Sequence, residues 1–403
     1  MKVLFINAIY MSGSTGRMIY EMKKVFEMKG IDTFIACAHG INDRNDHLYS
    51  IGNPVDWKIH SLKSRVTGYQ CSGSIFQTYK LIDYIKHIAP DIVHLHNLHS
   101  NYLNLSILLK FLAKADIPTV QTLHDCWNFT GKCTHYTRNK CFRWMEGCGC
   151  CPNLKGDIPS WFFDRTNKML INKADGYSMI PRLGVVGVSN WILNESQKSF
   201  FKTAKIRTCI YNWIDLDLFR HYSGRDYIVK YGLESKFVIL GVANSWHTNK
   251  GLDTFLELSG CLGENEVIVL VGNMGNRELP SNIISIPSTN SLDELVKYYS
   301  MADVFMQLSL EESFGKVVAE AMACGIPVIS VDSTANSELI NERCGVLIPP
   351  NSIDAIVAAC NHIKDRSTSE YRLNCRRIVE QNFNMSKQID KYIEVYERLI
   401  GES

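Results

Sequence analysis

Residues 312–328 read Glu312-Ser-Phe-Gly-Lys-Val-Val-Ala-Glu320-Ala-Met-Ala-Cys-Gly-Ile-Pro-Val328. Two carboxylates stand eight residues apart, and a Phe-Gly pair opens a helical run that Gly325 and Pro327 close. The apolar run Val328-Ile-Ser-Val331 then reads as a buried strand. A helix N-terminus has unpaired backbone N–H groups and a positive dipole end, so it suits an anion. Glu320 lies about two turns further on, placed to accept hydrogen bonds from sugar hydroxyls beside that anion. The stretch therefore reads as a seat for a phosphate and a polyol together.

Outward from it, the same rhythm of strand and helix fills the second half of the chain. Strands are expected at 237–242, 266–272, 283–286 and 304–308, and helices at 252–262 and 292–301. The first half has the same grammar. Lys2–Ala8 is a continuous apolar strand, followed by Ser12-Gly-Ser-Thr-Gly-Arg17 and a helix with Met18, Met22, Val25 and Phe26 on one face. Strand, Gly-rich loop and helix is a phosphate-binding arrangement of open parallel sheets, although a tight turn would need the same glycines. Strands at 91–96 and 119–123 end at His96-Asn97 and His124-Asp125. Carboxyl ends of strands line the ligand crevice of a doubly wound sheet, which puts both histidines at one rim beside the Gly-rich loop. The alternation implies two similar parallel α/β domains.

Composition narrows the partners. The 403 residues suffice for two or three domains. A formal charge of +2 gives no global drive toward nucleic acid or bilayer. No apolar run reaches the ~20 residues of a membrane span, and Asn7 inside the first strand argues against a signal peptide. A cytoplasmic protein is expected. Two acid-free basic stretches, 57–82 and 198–207, carry Trp57, Ile59, Leu62, Phe200 and Phe201 among their bases. They suit the inner face of an anionic membrane or a lipid-diphosphate acceptor, or are simply a solvated positive face.

Residues 128–154 break the rhythm: they are rich in Cys, Gly, aromatics and bases, with no period. Of 14 cysteines in the chain, Cys133, Cys141, Cys148 and Cys151 form a candidate structural zinc set there, with free thiols as the other reading.

The stretch 303–328 resembles the Glu-x7-Glu signature of the retaining glycosyltransferases of family 4. Supporting similarity runs through the Gly-rich loop, Pro90-Asp-Ile-Val-His-Leu-His96, Thr122-Leu-His124-Asp125, Gly187-Val-Ser189, Asn212-Trp-Ile-Asp215 and Lys250-Gly251. With its Cys-rich insert the chain is similar to members from bacterial capsule, exopolysaccharide and O-antigen assembly. The resemblance implies the GT-B architecture, two Rossmann-like domains facing across a cleft. The expected bounds are 1–205 for an acceptor-side domain with the insertion at about 126–156, 206–385 for a nucleotide-sugar domain, and 386–403 for a last helix packing back on the first domain.

It also implies roles. Glu320 would bind the ribose. Glu312 would lie near the donor sugar, with Ser313, Phe314, Gly315 and Lys316 touching sugar and phosphate. Lys250 would pair with the diphosphate, and Ser14, Thr15 and Gly16 would approach it from the other domain. His124 would face the transferred sugar, with His96, Asn97 and Asp125 on the acceptor side. The donor would be a UDP- or GDP-hexose, the acceptor a glycan or a polyprenyl-diphosphate-linked oligosaccharide. A Lys and a helix N-terminus stabilise a leaving diphosphate, so no metal is required for catalysis. The family usually carries an Arg a few residues before that Lys, and Ala243-Asn-Ser-Trp-His-Thr-Asn249 has none; Lys316, Arg17 or His247 would substitute. A nucleotide-sugar epimerase on the same architecture and a nucleotide-sugar-binding protein without activity are the alternatives.

Overall fold

The computed structural model describes residues 1–40, 46–137, 139–366 and 368–401. The chain divides into two compact units: Met1–Ile210 together with the stretch from Ile389 onward, and Tyr211–Gln388.

The first unit runs β1 (Lys2–Ile9), α1 (Gly13–Met28), β2 (Asp32–His39), β3 (Leu48–Ser50), α2 (Pro54–Thr67), α3 (Ile75–Ile88), β4 (Ile92–Leu95), α4 (Leu105–Lys114) and β5 (Thr119–Leu123). After the irregular segment come α5 (Thr166–Ser178), β6 (Leu183–Gly187), α6 (Asn190–Gln197) and β7 (Ile206–Cys209). The seven strands form one parallel sheet in the order β3-β2-β1-β4-β5-β6-β7. The central strands are buried on both faces, which is why Val3–Ile6 is a continuous apolar run and why Gln121 and Thr122 of β5 are buried too.

The second unit runs α7 (Arg225–Lys230), β8 (Phe237–Ser245), α8 (Leu252–Ser259), β9 (Glu266–Asn273), β10 (Ile283–Ile286), α9 (Leu292–Ser300), β11 (Val304–Gln307), α10 (Lys316–Ala323) and β12 (Val328–Val331). It continues through α11 (Asn336–Leu339), β13 (Gly345–Ile348), α12 (Ile353–Lys364), α13 (Thr368–Asn382) and the start of α14 (Met385–Gly401). Its sheet is again parallel, in the order β10-β9-β8-β11-β12-β13.

The expectation of two doubly wound parallel sheets matches this architecture. Several elements lie outside what periodicity indicated. β7 pairs with β6 and so belongs to the first sheet, although the expected border fell at 205/206; only Ile206 of its four residues is buried, so it has no apolar run to read. β13 and α11 before it are only four residues each, too short to show a period. Residues 220–236, polar and charged, hold the short helix α7.

From Ile389, α14 is part of the first unit's core. Tyr392, Tyr396 and Leu399 are fully buried, and the Tyr396 hydroxyl stands 2.6 Å from His94 Nδ1 in the middle of β4. Gly184 lets α14 lie close: a Cβ there would come within 2.9 Å of Leu399 Cδ1. His94 is wholly buried, so losing its partner leaves an unsatisfied polar atom. Tyr396→Phe is expected to lower unfolding stability by about 1–3 kcal/mol, read from the denaturant midpoint at unchanged m-value.

Candidate functional site

Each sheet has one place where the strand order reverses. In the first it lies between β1 and β4, in the second between β8 and β11. Connections diverge there to opposite faces and leave the carboxyl ends of the strands uncovered. In the second unit the chain leaving β8 carries Lys250, and the chain leaving β11 carries Glu312. The two meet: Lys250 Nζ lies 2.6 Å from Glu312 Oε1.

Backbone geometry fixes both. Gly251 ends the short 3-10 turn Thr248–Lys250 with φ +78°, and a Cβ on it would stand 2.4 Å from Leu308 Cβ. Only glycine therefore fits after Lys250. The Glu312 N–H donates to Thr334 Oγ1 at 2.9 Å, and its carbonyl accepts from the Ala335 N–H at 3.2 Å. Gln307 Nε2 adds a long contact to the carboxylate at 3.4 Å.

Gly315, at φ +86°, turns the chain into α10, and Lys316 is the first residue of that helix. Phe314 anchors the turn, buried with its ring 5.3 Å from Phe383. Beside the turn, Ser313 Oγ and Asn336 Oδ1 are buried without a hydrogen-bonding partner among the described residues. Orphaned buried polar atoms are costly and rare, and at a helix N-terminus they mark where a ligand's polar atoms belong. Of the three candidates to replace the missing Arg, Lys316 stands at this N-terminus, His247 opens the turn that holds Lys250, and Arg17 belongs to the other unit.

Glu320 is where the reading needs adjusting. It is buried, and its Oε2 accepts from the Tyr299 hydroxyl at 2.9 Å. Burial, then the adjacent carboxylate, hold the Tyr299 phenol well above its usual range, so Tyr299 stays a donor. Tyr299 was not singled out from the sequence; it lies on α9, and no local pattern connects it to α10.

In the first unit the carboxyl ends of β1, β4 and β5 converge as expected. Ser14, Thr15 and Gly16 form the first turn of α1 rather than a free loop. Gly16 lets α1 start close to β1: a Cβ there would make a tight 3.2 Å approach to the Ile9 carbonyl oxygen. Asn7, the polar residue inside β1, accepts from the Asn97 N–H at 3.0 Å and donates to the Ile9 carbonyl at 2.7 Å, tying β1 to β4. His124 is half-buried, and its Nε2 stands 2.9 Å from His96 Nδ1.

His96 is wholly buried and is therefore a support for His124 rather than a rim residue. Asp125 is also buried: one carboxylate oxygen stands 3.0 Å from His99 Nε2 and the other accepts from the Trp127 N–H at 2.8 Å. Burial raises the Asp125 pKa, and His99 with these hydrogen bonds outweighs it, leaving the group below its usual value.

The Cys-rich segment is irregular apart from short turns at Cys126–Phe129 and Arg143–Met145. Two buried lysines staple it. Lys132 Nζ donates to the carbonyls of Asn153, Leu154 and Gly156 at 2.8–3.0 Å. Lys173 Nζ donates to the Trp127 and Thr130 carbonyls and lies 3.4 Å from the Trp127 ring centroid. Cys133, Cys141, Cys148 and Cys151 border one cavity of about 20 Å³, room for one water-sized guest. The donor set is right in kind for zinc. Among the described residues, however, no three His, Cys, Asp or Glu side chains stand in a ligating arrangement.

Residues 15–218, about half of the chain, match the model of Glycosyltransferase Family 4, and residues 225–381 match Glycosyl transferases group 1. The chain belongs to the family 4 glycosyltransferases and is a glycosyltransferase. It is 22% identical over 291 residues to WcaC of Escherichia coli K12, named for colanic acid biosynthesis, covering 71% of this chain and 70% of that one. It is 27% identical over 180 residues to an E. coli UDP-Gal:α-D-GlcNAc-diphosphoundecaprenol α-1,3-galactosyltransferase, covering 40% and 46%. The Anabaena protein HepE, solved with UDP, has the same fold, with a TM-score of 0.66 at 16% identity over 99% of this chain and 100% of that one.

The histidine cluster generates a pH prediction. Burial holds His94 and His96 well below their usual value, and burial holds His124 down to about 4. All three are neutral in the folded state at pH 5–7, whereas the unfolded chain takes up protons below about 6.5. The unfolded state then binds more protons, so stability falls with falling pH, by up to about 1.4 kcal/mol per pH unit for each histidine. The thermal midpoint is expected to drop between pH 7 and pH 5, and His96→Asn is expected to make that drop shallower in a melting series.

Proposed function

We propose that the chain transfers a hexose from a UDP- or GDP-sugar to a glycan or lipid-linked oligosaccharide acceptor, with retention of anomeric configuration, in surface polysaccharide biosynthesis. One observation carries the reading: the Lys250–Glu312 pair beside the N-terminus of α10, next to the unpartnered Ser313 Oγ and Asn336 Oδ1. Names of the relatives point to the pathway. One is named for colanic acid and another for a diphosphoundecaprenol-linked acceptor.

The chemistry follows from what these side chains can do. The donor diphosphate competes with Glu312 for the Lys250 ammonium and takes the α10 N–H groups, with Lys316 as second cation. Charge that develops on the leaving diphosphate then meets a preorganised cation and oriented dipoles. Glu312, released from Lys250, is free to hydrogen-bond the donor sugar. Glu320, held in one rotamer by Tyr299, accepts from the ribose hydroxyls. In the first unit, neutral His124, held by His96, can hydrogen-bond a sugar hydroxyl through its ring. Retention proceeds by front-face attack: the acceptor oxygen bonds to the anomeric carbon on the face the diphosphate leaves, and the leaving phosphate oxygen takes the acceptor's proton.

The test is a panel of UDP-, GDP-, ADP- and dTDP-sugars, scored by thermal stabilisation and by release of nucleoside diphosphate with and without a lipid-linked acceptor. A UDP- or GDP-sugar is expected to raise the melting temperature, with release depending on acceptor. Release equally fast without acceptor would instead favour hydrolysis. Lys250→Ala is expected to lower kcat about 10²–10³-fold, the usual loss for one preorganised donor to a developing anion. Near-normal turnover by that variant would remove the assignment.

A further inference from the structure

Helix α2 is built inside out. Its buried residues are His60 and Ser64. His60 Nδ1 stands 2.8 Å from the Ser74 hydroxyl and its Nε2 accepts from the Gly73 N–H at 2.9 Å, so its ring is spent joining α2 to the start of α3. Ser64 Oγ donates to the Tyr69 carbonyl at 2.9 Å and lies 2.6 Å from Asn101 Oδ1. The opposite face is apolar and open to solvent: Val55 is 64% exposed, Ile59 62% and Leu62 55%, with Val66 closing the row. The spacing i, i+4, i+7, i+11 puts all four within about 60° of one another on the helix. An ordinary surface helix buries such a stripe; this one presents it.

The stripe continues beyond the helix. The Trp161 N–H donates to the Arg65 carbonyl at 2.7 Å, and Gly68 lies so close to Phe163 that a Cβ would stand 2.2 Å from its carbonyl oxygen. Trp161, Phe162 and Phe163 are therefore fixed at the C-terminal end of α2, and all three are exposed, Phe162 by 68%. On the other flank Phe76 opens α3, also exposed, with Lys80 over its ring at 4.5 Å. Contiguous apolar surface on this scale marks an interaction site.

Charge decides the occupant. Lys58 and Arg65 flank the stripe on one side and Lys63 on the other, all exposed, and residues 57–82 contain no acid. Asp56 and Asp164, which adjoin this surface in sequence, are engaged locally. Asp56 accepts from the Asn53 N–H as part of the α2 capping box, and Asp164 accepts from the Thr166 N–H and hydroxyl. A second copy docked face to face would set these bases against themselves. An apolar stripe between rows of bases, ending in aromatic rings, fits the boundary of an anionic bilayer.

We propose that the face formed by α2, the start of α3 and residues 161–163 seats the protein on an anionic lipid surface, lying on it rather than crossing it. Among the described residues no helix is long and apolar enough to cross one. This surface is independent of the donor chemistry in the second unit.

Co-sedimentation of the full chain with phosphatidylglycerol-containing vesicles and with pure phosphatidylcholine vesicles tests it. The wild type is expected to sediment with the anionic vesicles and to be released as salt rises. The triple variant Ile59→Ser/Leu62→Ser/Phe162→Ser and the charge variant Lys58→Glu/Arg65→Glu are each expected to lose binding by more than about tenfold. All the substituted side chains are exposed, so melting temperature and donor-induced stabilisation should be unchanged, which separates a failed surface from a failed donor assignment. The proposal is overturned if the wild type stays in solution, if the triple variant binds as well as wild type, or if light scattering shows a dimer that the triple variant dissolves.

Discussion

Parallel strand pairing governs this molecule. Each strand must return by a crossover to start again at the same end, so every carboxyl end emerges along one edge of its sheet. Where the strand order reverses, helices diverge and that edge stays open. Lys250 and Glu312 come from the two strands flanking the reversal in one sheet, and the first turn of α1 and His96 from those in the other. Residues more than sixty positions apart meet because pairing leaves their loops nowhere else to go.

At each such edge the candidate site residues are held in place by neighbouring side chains. Tyr299 fixes Glu320, Thr334 fixes the Glu312 backbone, His96 fixes His124, and Asn7 ties β1 to β4. The His96 ring shows the cost. It is desolvated and neutral, and its Nε2 has no partner among the described residues, an arrangement that stability alone does not favour. It persists because α14 returns to the first unit and closes the core over neighbouring His94 with Tyr392 and Tyr396.

Legibility in the sequence followed how local each cause was. Glycine positions at 251 and 315, the apolar strands, and the Glu-x7-Glu spacing are local, and each was readable. Asn7 was visible as a polar residue inside an apolar strand, but its partner Asn97, ninety residues on, was not. β7 escaped notice because a strand at a sheet edge needs few apolar residues, and β13, though apolar, because four residues are too short to show a period. The acid-free basic stretch around α2 was visible too. That its apolar residues face outward was not, because periodicity gives a helix two faces and does not say which is buried.

The sequence by itself determined the two parallel α/β units, the glycosyltransferase family and the helix N-terminus that opens at Gly315, since these rest on short-range steric and hydrophobic pattern. Tertiary structure alone decided that Lys250 pairs with Glu312, that Glu320 accepts from Tyr299, and that His96 is buried against His124. Burial and pairing depend on which side chains long crossovers bring together, and that information is spread over the whole chain.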